Sequence, residues 1–252
     1  MPRHLYVISG ASRGLGAALA AQLLDTQHVL LGISRNSNAA LQAEAERRGA
    51  SLLQWTLDLA QTLEAAARLE AWLTALDAGE FASATLVNNA AALTHIGPLE
   101  TIEASDLSRA LRVGLEAPLL LASAFLRATR RWRGERKVLN ISSGLGRRAM
   151  AGQAPYCAIK AGLDHASRVL ALEAAHGQNG AKVVSLAPGV IDTDMQAQLR
   201  GADPAAFPDH GLFMQMEREG QLASAQETAA RMLAYLRRPD FGRQPIADIR
   251  EA

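Results

Sequence analysis

Short runs of apolar and β-branched residues alternate along the chain with longer segments in which apolar residues recur every three or four positions. The short runs predict buried strands and the periodic segments predict helices. The predicted strands are Leu5–Ser9, His28–Ser34, Ser51–Leu57, Ala84–Asn88, Lys137–Ser142, Lys182–Ala187 and a short final strand within Gln244–Ile249. The predicted helices are Gly14–Thr26, Asn38–Arg48, Leu63–Leu76, Ser105–Trp132 (disturbed around Gly114 and Pro118), Pro155–His176 and Ser224–Leu236.

This alternation predicts an α/β fold made of right-handed βαβ units, with a doubly wound parallel sheet and helices on both faces. No composition shift divides the chain, so residues 1–252 are predicted to form a single domain. The least regular stretch is 196–221, which is rich in glycine and proline. We predict a substrate-side loop or lid there, and the alternative is a surface connection without a role.

Composition and charge narrow the function classes. The 252 residues are 49% hydrophobic and carry a formal net charge of +1, which argues against a nucleic-acid partner. Cys157 is the single cysteine, so an intrachain disulfide is impossible. We expect a cytoplasmic protein without a membrane partner, because neither a signal peptide nor a bilayer-length apolar stretch is visible. The six histidines lack metal-ligand spacing, so no metal is predicted.

A glycine-rich turn follows the first predicted strand. Residues 9–16 read SGASRGLG and open the first helix, the context in which a phosphate-binding turn occurs. Glycines let the backbone approach a pyrophosphate closely, and the helix N-terminus attracts the anion. The glycine spacing of four and then two differs from the usual dinucleotide fingerprint, so a turn without a ligand stays open at this point.

The end of the second predicted strand bears on which cofactor is bound. An NAD-preferring site usually has an acidic residue there, whereas this chain has Ser34 followed by Arg35. Arg13, in the glycine-rich turn, is expected nearby. Two guanidinium groups without a carboxylate favour a 2′-phosphate, and therefore NADP(H) over NAD(H). The alternative is that Arg35 is a solvated loop residue.

A tyrosine and a lysine supply candidate acid–base chemistry. Tyr156 and Lys160 are four residues apart and therefore share one helix face. A neighbouring ammonium favours the phenolate, so the tyrosine could exchange a proton near neutral pH. Ser143 follows the fifth predicted strand, at the sheet edge where α/β proteins bind ligands. An isolated pair of this kind would be an exposed tyrosine beside a solvated lysine, but the order of motifs argues against that here.

The ordered set of motifs resembles the short-chain dehydrogenase/reductase family over nearly the whole chain. The matching segments are residues 10–16, Asp58-Leu59, residues 88–91, Ser142-Ser143, Tyr156 to Lys160 and residues 188–193. The resemblance implies a Rossmann-like domain with a seven-stranded sheet. It also implies that the chain is a homodimer or homotetramer.

The resemblance also implies roles for individual residues. Tyr156 would be the general acid/base, Ser143 would polarise the carbonyl, and Lys160 would hold the nicotinamide ribose. Asp58 would contact the adenine amine, Asn88 and Ala90 would line the cofactor cleft, and Val190 and Thr193 would hold the carboxamide end. The residues implied to bind the cofactor are Gly10, Ser12, Arg13, Gly14, Leu15, Gly16, Ser34, Arg35, Asp58, Leu59, Asn88, Ala90, Tyr156, Lys160, Pro188, Gly189, Val190 and Thr193.

Two positions depart from the pattern of that family. Gly114 aligns with an asparagine that anchors a water molecule, and Ala91 aligns with a common glycine. If the missing asparagine limits proton relay, Gly114→Asn should raise turnover.

The C-terminal third has a narrower resemblance to sepiapterin reductases and bacterial benzil reductases. This resemblance rests on residues 188–196, 220–222 and 246–249. It implies that Asp248 anchors the substrate, and the alternative is a surface aspartate after the last strand.

The predicted function is NADP(H)-dependent reduction of a small ketone or dicarbonyl by hydride transfer. A 3-oxoacyl thioester reductase and another short-chain alcohol dehydrogenase are the alternatives among enzymes. An NADP-binding sensor with little turnover is the alternative outside enzymes.

Overall fold

Seven parallel strands form one sheet in the computed structural model, which describes residues 3–176 and 179–251. The strands are β1 (Arg3–Ser9), β2 (His28–Ser34), β3 (Ser51–Thr56), β4 (Phe81–Asn88), β5 (Glu135–Ile141), β6 (Lys182–Ala187) and β7 (Ile246–Asp248). Their order is β3-β2-β1-β4-β5-β6-β7, so the direction of winding reverses between β1 and β4. Ligands of such sheets bind in the crevice at the carboxyl ends of the strands flanking this reversal.

Helices cover both faces of the sheet. They are α1 (Gly14–Gln22), α2 (Ala39–Arg48), α3 (Thr62–Ala75), α4 (Ala104–Leu111), α5 (Ala117–Ala128), α6 (Ala154–Ala175), α7 (Asp194–Arg200), α8 (His210–Arg218) and α9 (Ala225–Leu236). One core joins the sheet to α1, α2 and α9, with Leu19, Leu41 and Met232 among its members. The other core joins the opposite face to α3 and α5 through Leu69 and Phe125. The predicted single-domain, Rossmann-like α/β fold is confirmed.

Local sequence signals set several helix ends. The Asn38 side chain accepts a hydrogen bond from the Leu41 backbone amide at the start of α2, and Gly49 ends that helix with a left-handed φ of 64°. Ser224 and Glu227 form a reciprocal capping box at the start of α9. These contacts explain why the predicted limits of both helices lie within one residue of the observed ones.

The long helical region before β5 is interrupted, as predicted. A wide π-helical turn, Arg112–Glu116, separates α4 from α5 and contains Gly114. Pro118, which cannot donate a backbone hydrogen bond, follows this turn as the second residue of α5. The disturbance at Gly114 and Pro118 is therefore confirmed.

The prediction that residues 196–221 are irregular is wrong. This stretch contains most of α7 and all of α8. Phe207 and Phe213 stack with ring centroids 5.5 Å apart, and both are buried with Ile96, Met150 and Leu199 in a third, smaller core. Most of the glycines and prolines lie between or beside the two short helices, and Gly211 is the second residue of α8, so together they conceal the helical periodicity.

The apolar residues of α5 and α6 serve mainly the core of this chain. Ala122 and Leu163 are almost fully buried, whereas Leu119 on α5 and Val169 and Leu172 on α6 remain exposed.

Within residues 3–176 and 179–251, no helix combines the length and apolarity required to cross a bilayer.

Candidate active site

The glycine-rich turn forms a tight cradle between β1 and α1. Gly10 and Gly14 adopt positive φ values of 70° and 55°, which side chains disfavour. A Cβ at Gly16 would lie 2.2 Å from the Gly10 carbonyl oxygen, so only glycine fits there. Arg13, which precedes α1, makes no side-chain cap to the first turn, whose amides can therefore receive phosphate oxygens. This cradle fits the pyrophosphate of a dinucleotide.

Asn89 fixes the cradle to the end of β4. Its side-chain amide donates to the carbonyl oxygens of Ser9 and Gly10 at 3.0 and 3.3 Å. The Ser9 hydroxyl in turn accepts the backbone amides of Asn89 and Ala90, each at 3.0 Å. No local sequence signal predicts this role for Asn89. These bonds place Ala90 beside the cradle.

The structure places the Asn88 side chain in the core rather than in the cleft. Its amide donates to the Pro118 carbonyl at 3.2 Å and to Asn140 Oδ1 at 2.9 Å, and its own oxygen is buried without a partner among the described residues. Any contact of Asn88 with the cofactor would therefore come from its backbone, and the expectation that this residue lines the cleft stays a prediction. The direction of the side chain follows from strand alternation, because neighbouring residues of β4 face opposite sides of the sheet.

Asp58, after β3, lies among cations at the other end of the cleft. Its carboxylate accepts the Ala60 backbone amide at 3.0 Å and the Arg109 guanidinium at 2.8 Å. The Ala60 amide, Arg109 and the nearby charge of Arg35 hold the pKa of Asp58 below its usual value. The exposed Arg35 at the end of β2 is thus brought close to Asp58. The contact with Arg109 was not predicted from the sequence.

The loop after β6 faces the cradle. Gly189 has a φ of 82°, and Val190 accepts the Ala223 backbone amide at 3.0 Å. A Cβ on Gly14 would lie 3.8 Å from the Thr193 methyl, so the two loops approach closely. An exposed ion pair between Arg13 and Asp194 also links them.

Ser143, Tyr156 and Lys160 meet at the carboxyl end of β5. Ser143 follows that strand, whereas Tyr156 and Lys160 lie in the first two turns of α6. The Lys160 ammonium lies 5.4 Å from the centroid of the Tyr156 ring and donates a 2.7 Å hydrogen bond to the Ile141 carbonyl. A proton donor, a hydroxyl and a cation therefore share one edge of the sheet.

The acid–base properties of this group differ from the sequence-based expectation. Burial raises the pKa of Tyr156 to about 12, and its interaction with the Ser143 hydroxyl opposes the rise only partly. Burial lowers the pKa of Lys160 to about 8, although the carboxylate of Asp164 opposes this shift. The phenol is therefore protonated at neutral pH in the free protein, and Lys160 does not bring its pKa near neutrality.

A buried carboxylate beneath the site was not predicted. Asp164 Oδ1 accepts the hydroxyls of Ser142 and Ser185 at 2.5 and 2.7 Å, and Oδ2 accepts Arg147 Nε at 3.0 Å. Arg147 also donates to the Ala247 carbonyl at 3.0 Å. The network joins α6 to the carboxyl ends of β5, β6 and β7, with Arg147 as the ion-pair partner of Asp164.

Asp248 is buried at the end of β7 and is already paired. Its carboxylate accepts two guanidinium hydrogen bonds from Arg250, at 2.9 and 2.7 Å, which hold its pKa below the usual value. A substrate that used Asp248 as an anchor would have to share this carboxylate with Arg250 or displace it.

Gly114 packs closely against α6. A Cβ at this position would lie 2.8 Å from Ile159 Cγ2. We therefore expect Gly114→Asn alone to lower the free energy of unfolding by about 1–3 kcal/mol through overpacking, without raising turnover. Urea unfolding of this variant and of Gly114→Asn/Ile159→Ala, with Ile159→Ala as the control, measures the effect. Wild-type stability of the single variant would contradict the steric account.

Comparison with known proteins gives the family. A profile of the family described as short chain dehydrogenase matches residues 4–204. The chain belongs to the short-chain dehydrogenase family. It is therefore an oxidoreductase of that family, as its ordered motifs predict.

Individual relatives resemble the chain over nearly its full length. A benzil reductase ((S)-benzoin forming) of Bacillus cereus is 31% identical over 245 residues, which cover 97% of this chain and 98% of the relative. The sepiapterin reductase of Bos taurus is 31% identical over 252 aligned positions, which cover 95% of this chain and 91% of the relative. The crystal structure of a short-chain dehydrogenase/reductase from Burkholderia vietnamiensis matches with a TM-score of 0.66. Its sequence is 34% identical, and the match covers 99% of this chain and 98% of that one.

Proposed function

We propose that the chain reduces a small ketone or dicarbonyl to an alcohol with NADP(H), and that Tyr156 is the general acid. The observation that carries this proposal is the convergence of Tyr156, Ser143 and Lys160 at the sheet edge that also holds the glycine cradle. The cofactor, which the glycine cradle of residues 10–16 would hold, would supply the hydride that reduces the carbonyl carbon. The Ser143 hydroxyl stabilises the charge that develops on the carbonyl oxygen, and Tyr156 transfers its phenolic proton to that oxygen.

The charges of the cleft support NADP(H) as the cofactor. Arg35 is exposed and has no side-chain partner among the described residues, yet it lies near enough to Asp58 to lower the pKa of that carboxyl. Its guanidinium is therefore available for a 2′-phosphate. Arg13 is paired with Asp194, so we assign most of the preference to Arg35.

Residues 196–221 support a small, partly apolar substrate. The third core, which contains Phe207 and Phe213, packs on Leu145 and Cys157. These two residues lie next in the chain to the catalytic segments around Ser143 and Tyr156. We propose that this helical segment, rather than an irregular loop, covers the substrate side of the cleft.

A substrate panel tests the proposed function. The oxidation of NADPH and of NADH would be followed with benzil, 1-phenyl-1,2-propanedione, sepiapterin and an acetoacetyl thioester. We expect turnover of the aromatic dicarbonyls with NADPH. Turnover of the thioester alone would favour a 3-oxoacyl reductase, and tight NADPH binding without any turnover would favour the sensor.

The lowered pKa of Lys160 predicts a pH dependence. The ammonium form is present below about pH 8 and is lost as the pH rises through that value. We therefore expect kcat/KM for NADPH, which reports groups of the free enzyme, to fall above about pH 8. A pH profile of the wild type beside Lys160→Arg checks this, since arginine stays charged. If kcat/KM fell in the same way above about pH 8 in both proteins, a group other than Lys160 would be responsible.

The exposed apolar residues support the expected homodimer or homotetramer. Leu119, Val169 and Leu172 lie on α5 and α6 and would be covered by a second copy of the chain. Light scattering on the purified protein gives the number of copies.

A further inference from the structure

A cavity of about 510 Å³ lies on the opposite edge of the sheet from the catalytic residues. It is bounded by the C-terminal turns of α5 and α6 and by the first residues of β5 and β6. Its walls are mostly apolar and include Leu126, Leu170, Ala174 and Val183. The proposed reaction uses none of these residues, so the cavity needs a separate explanation.

Arg136, the second residue of β5, lines this cavity. Only 7% of its surface is exposed, and its Nε is buried without a hydrogen-bond partner in residues 3–176 and 179–251. Burial lowers the pKa of Arg136, and no carboxylate of the described residues offsets that effect. Its two Nη atoms are not fully buried and have no carboxylate partner among the described residues, so an anion in the cavity could balance their charge.

The charges at the cavity favour an anion. Arg130 also lines it and, within the same described ranges, forms no ion pair. Glu173 is the one acidic residue of the lining, and it lies on the exposed rim, where it has no ion pair with Arg136. The lining thus has more positive than negative charge, with the more buried of its two cations unpaired.

We propose that this cavity binds a small organic carboxylate with an apolar body. The Nε–H and one Nη–H of a guanidinium form a fork that matches the two oxygens of a carboxylate. In Arg136 the Nε is fully buried, so the fork that faces a ligand is the one formed by its two Nη groups, whose N–H bonds match a carboxylate in the same way. The leucine, alanine and valine walls would receive the hydrocarbon part of the ligand.

The proposal is tested by calorimetry on NADP⁺-saturated protein. The binding affinity for benzoate is compared with that for benzamide, which has a similar shape but no charge. We expect saturable binding of benzoate and at least tenfold weaker binding of benzamide. Arg136→Met should weaken benzoate binding by at least about tenfold, whereas the exposed Arg131→Gln, which leaves the cavity lining unchanged, should bind as the wild type does. The ligand-free Arg136→Met protein should also melt at a higher temperature, because it lacks the unpaired buried charge.

A second variant and a crystal structure provide a test even if Arg136→Met does not fold. If Arg136→Met does not fold, Arg136→Lys retains the charge but loses the fork, and its benzoate affinity should fall as well. In crystals soaked with 4-bromobenzoate, we expect the anomalous bromine signal in this cavity. Equal affinity of wild type and Arg136 variants, no saturable binding, or a bromine signal only at the catalytic cleft would overturn the proposal.

Discussion

Tyr156→Phe is expected to lower kcat for ketone reduction by about a hundredfold or more. The substitution keeps the aromatic ring beside Lys160 and removes only the phenolic proton that the carbonyl oxygen receives. Because the pKa of Tyr156 is about 12 in the free protein, the proton is present throughout the neutral range and its loss should matter at every such pH. Steady-state NADPH oxidation with benzil measures the effect.

Two controls distinguish a loss of proton transfer from a loss of NADPH binding or a general effect of the substitution. NADPH fluorescence titration should give similar affinities for Tyr156→Phe and the wild type, since the ring stays in place. Tyr235→Phe makes the same chemical change on α9, remote from the catalytic residues, and should leave kcat within about twofold. A Tyr156→Phe protein with near-wild-type turnover would remove Tyr156 from the mechanism.

Arg35→Asp is expected to reverse the preference between NADPH and NADH. The guanidinium lies at the end of β2 near Asp58, and a charge-assisted hydrogen bond contributes about 1.5–3 kcal/mol. We therefore expect kcat/KM for NADPH to fall roughly 10- to 100-fold, with a smaller change or a gain for NADH. The ratio of the two values, measured with one ketone at fixed ionic strength, is the readout.

The matched control makes the same change of charge elsewhere. Arg133 is exposed beyond α5, so Arg133→Asp should leave the cofactor ratio unchanged. If both variants shifted the ratio alike, a general electrostatic effect would replace the local contact. An unchanged ratio in Arg35→Asp would instead mean that the 2′-phosphate lies elsewhere or that NADPH is not preferred.

Much of the fold was predictable because its strands are short, apolar and well separated. The limits of β2 and β6 agree with the prediction: β2 lies between Gln27 and Arg35, and β6 begins at Lys182 and is followed by Pro188. The first helix, in contrast, ends at Gln22 instead of Thr26. The His28 ring bonds to the Leu23 carbonyl at 2.7 Å, so the chain turns early toward β2. Such a contact depends on tertiary placement and leaves no periodic signal.

The residues of the candidate site also differ in how far the sequence could predict them. Ser143, Tyr156 and Lys160 could be found because they lie in short local motifs at predictable ends of elements. Asn89 and Asp164 could not, because their partners are distant in sequence: Ser9 is 80 residues from Asn89, and Ser185 is 21 residues from Asp164. The raised pKa of Tyr156 was missed for a related reason, since burial is a property of the packed structure.

The most direct test of the central claim is transfer of deuterium from NADPH labelled at the reactive C4 position. The wild-type protein would be mixed with labelled NADPH and benzil in equal amounts, and the products analysed by mass spectrometry. We predict benzoin with one deuterium on its carbinol carbon, formed by the wild type and largely absent with Tyr156→Phe. Bound NADPH that gives no deuterated alcohol from benzil or any other carbonyl of the panel would contradict the claim.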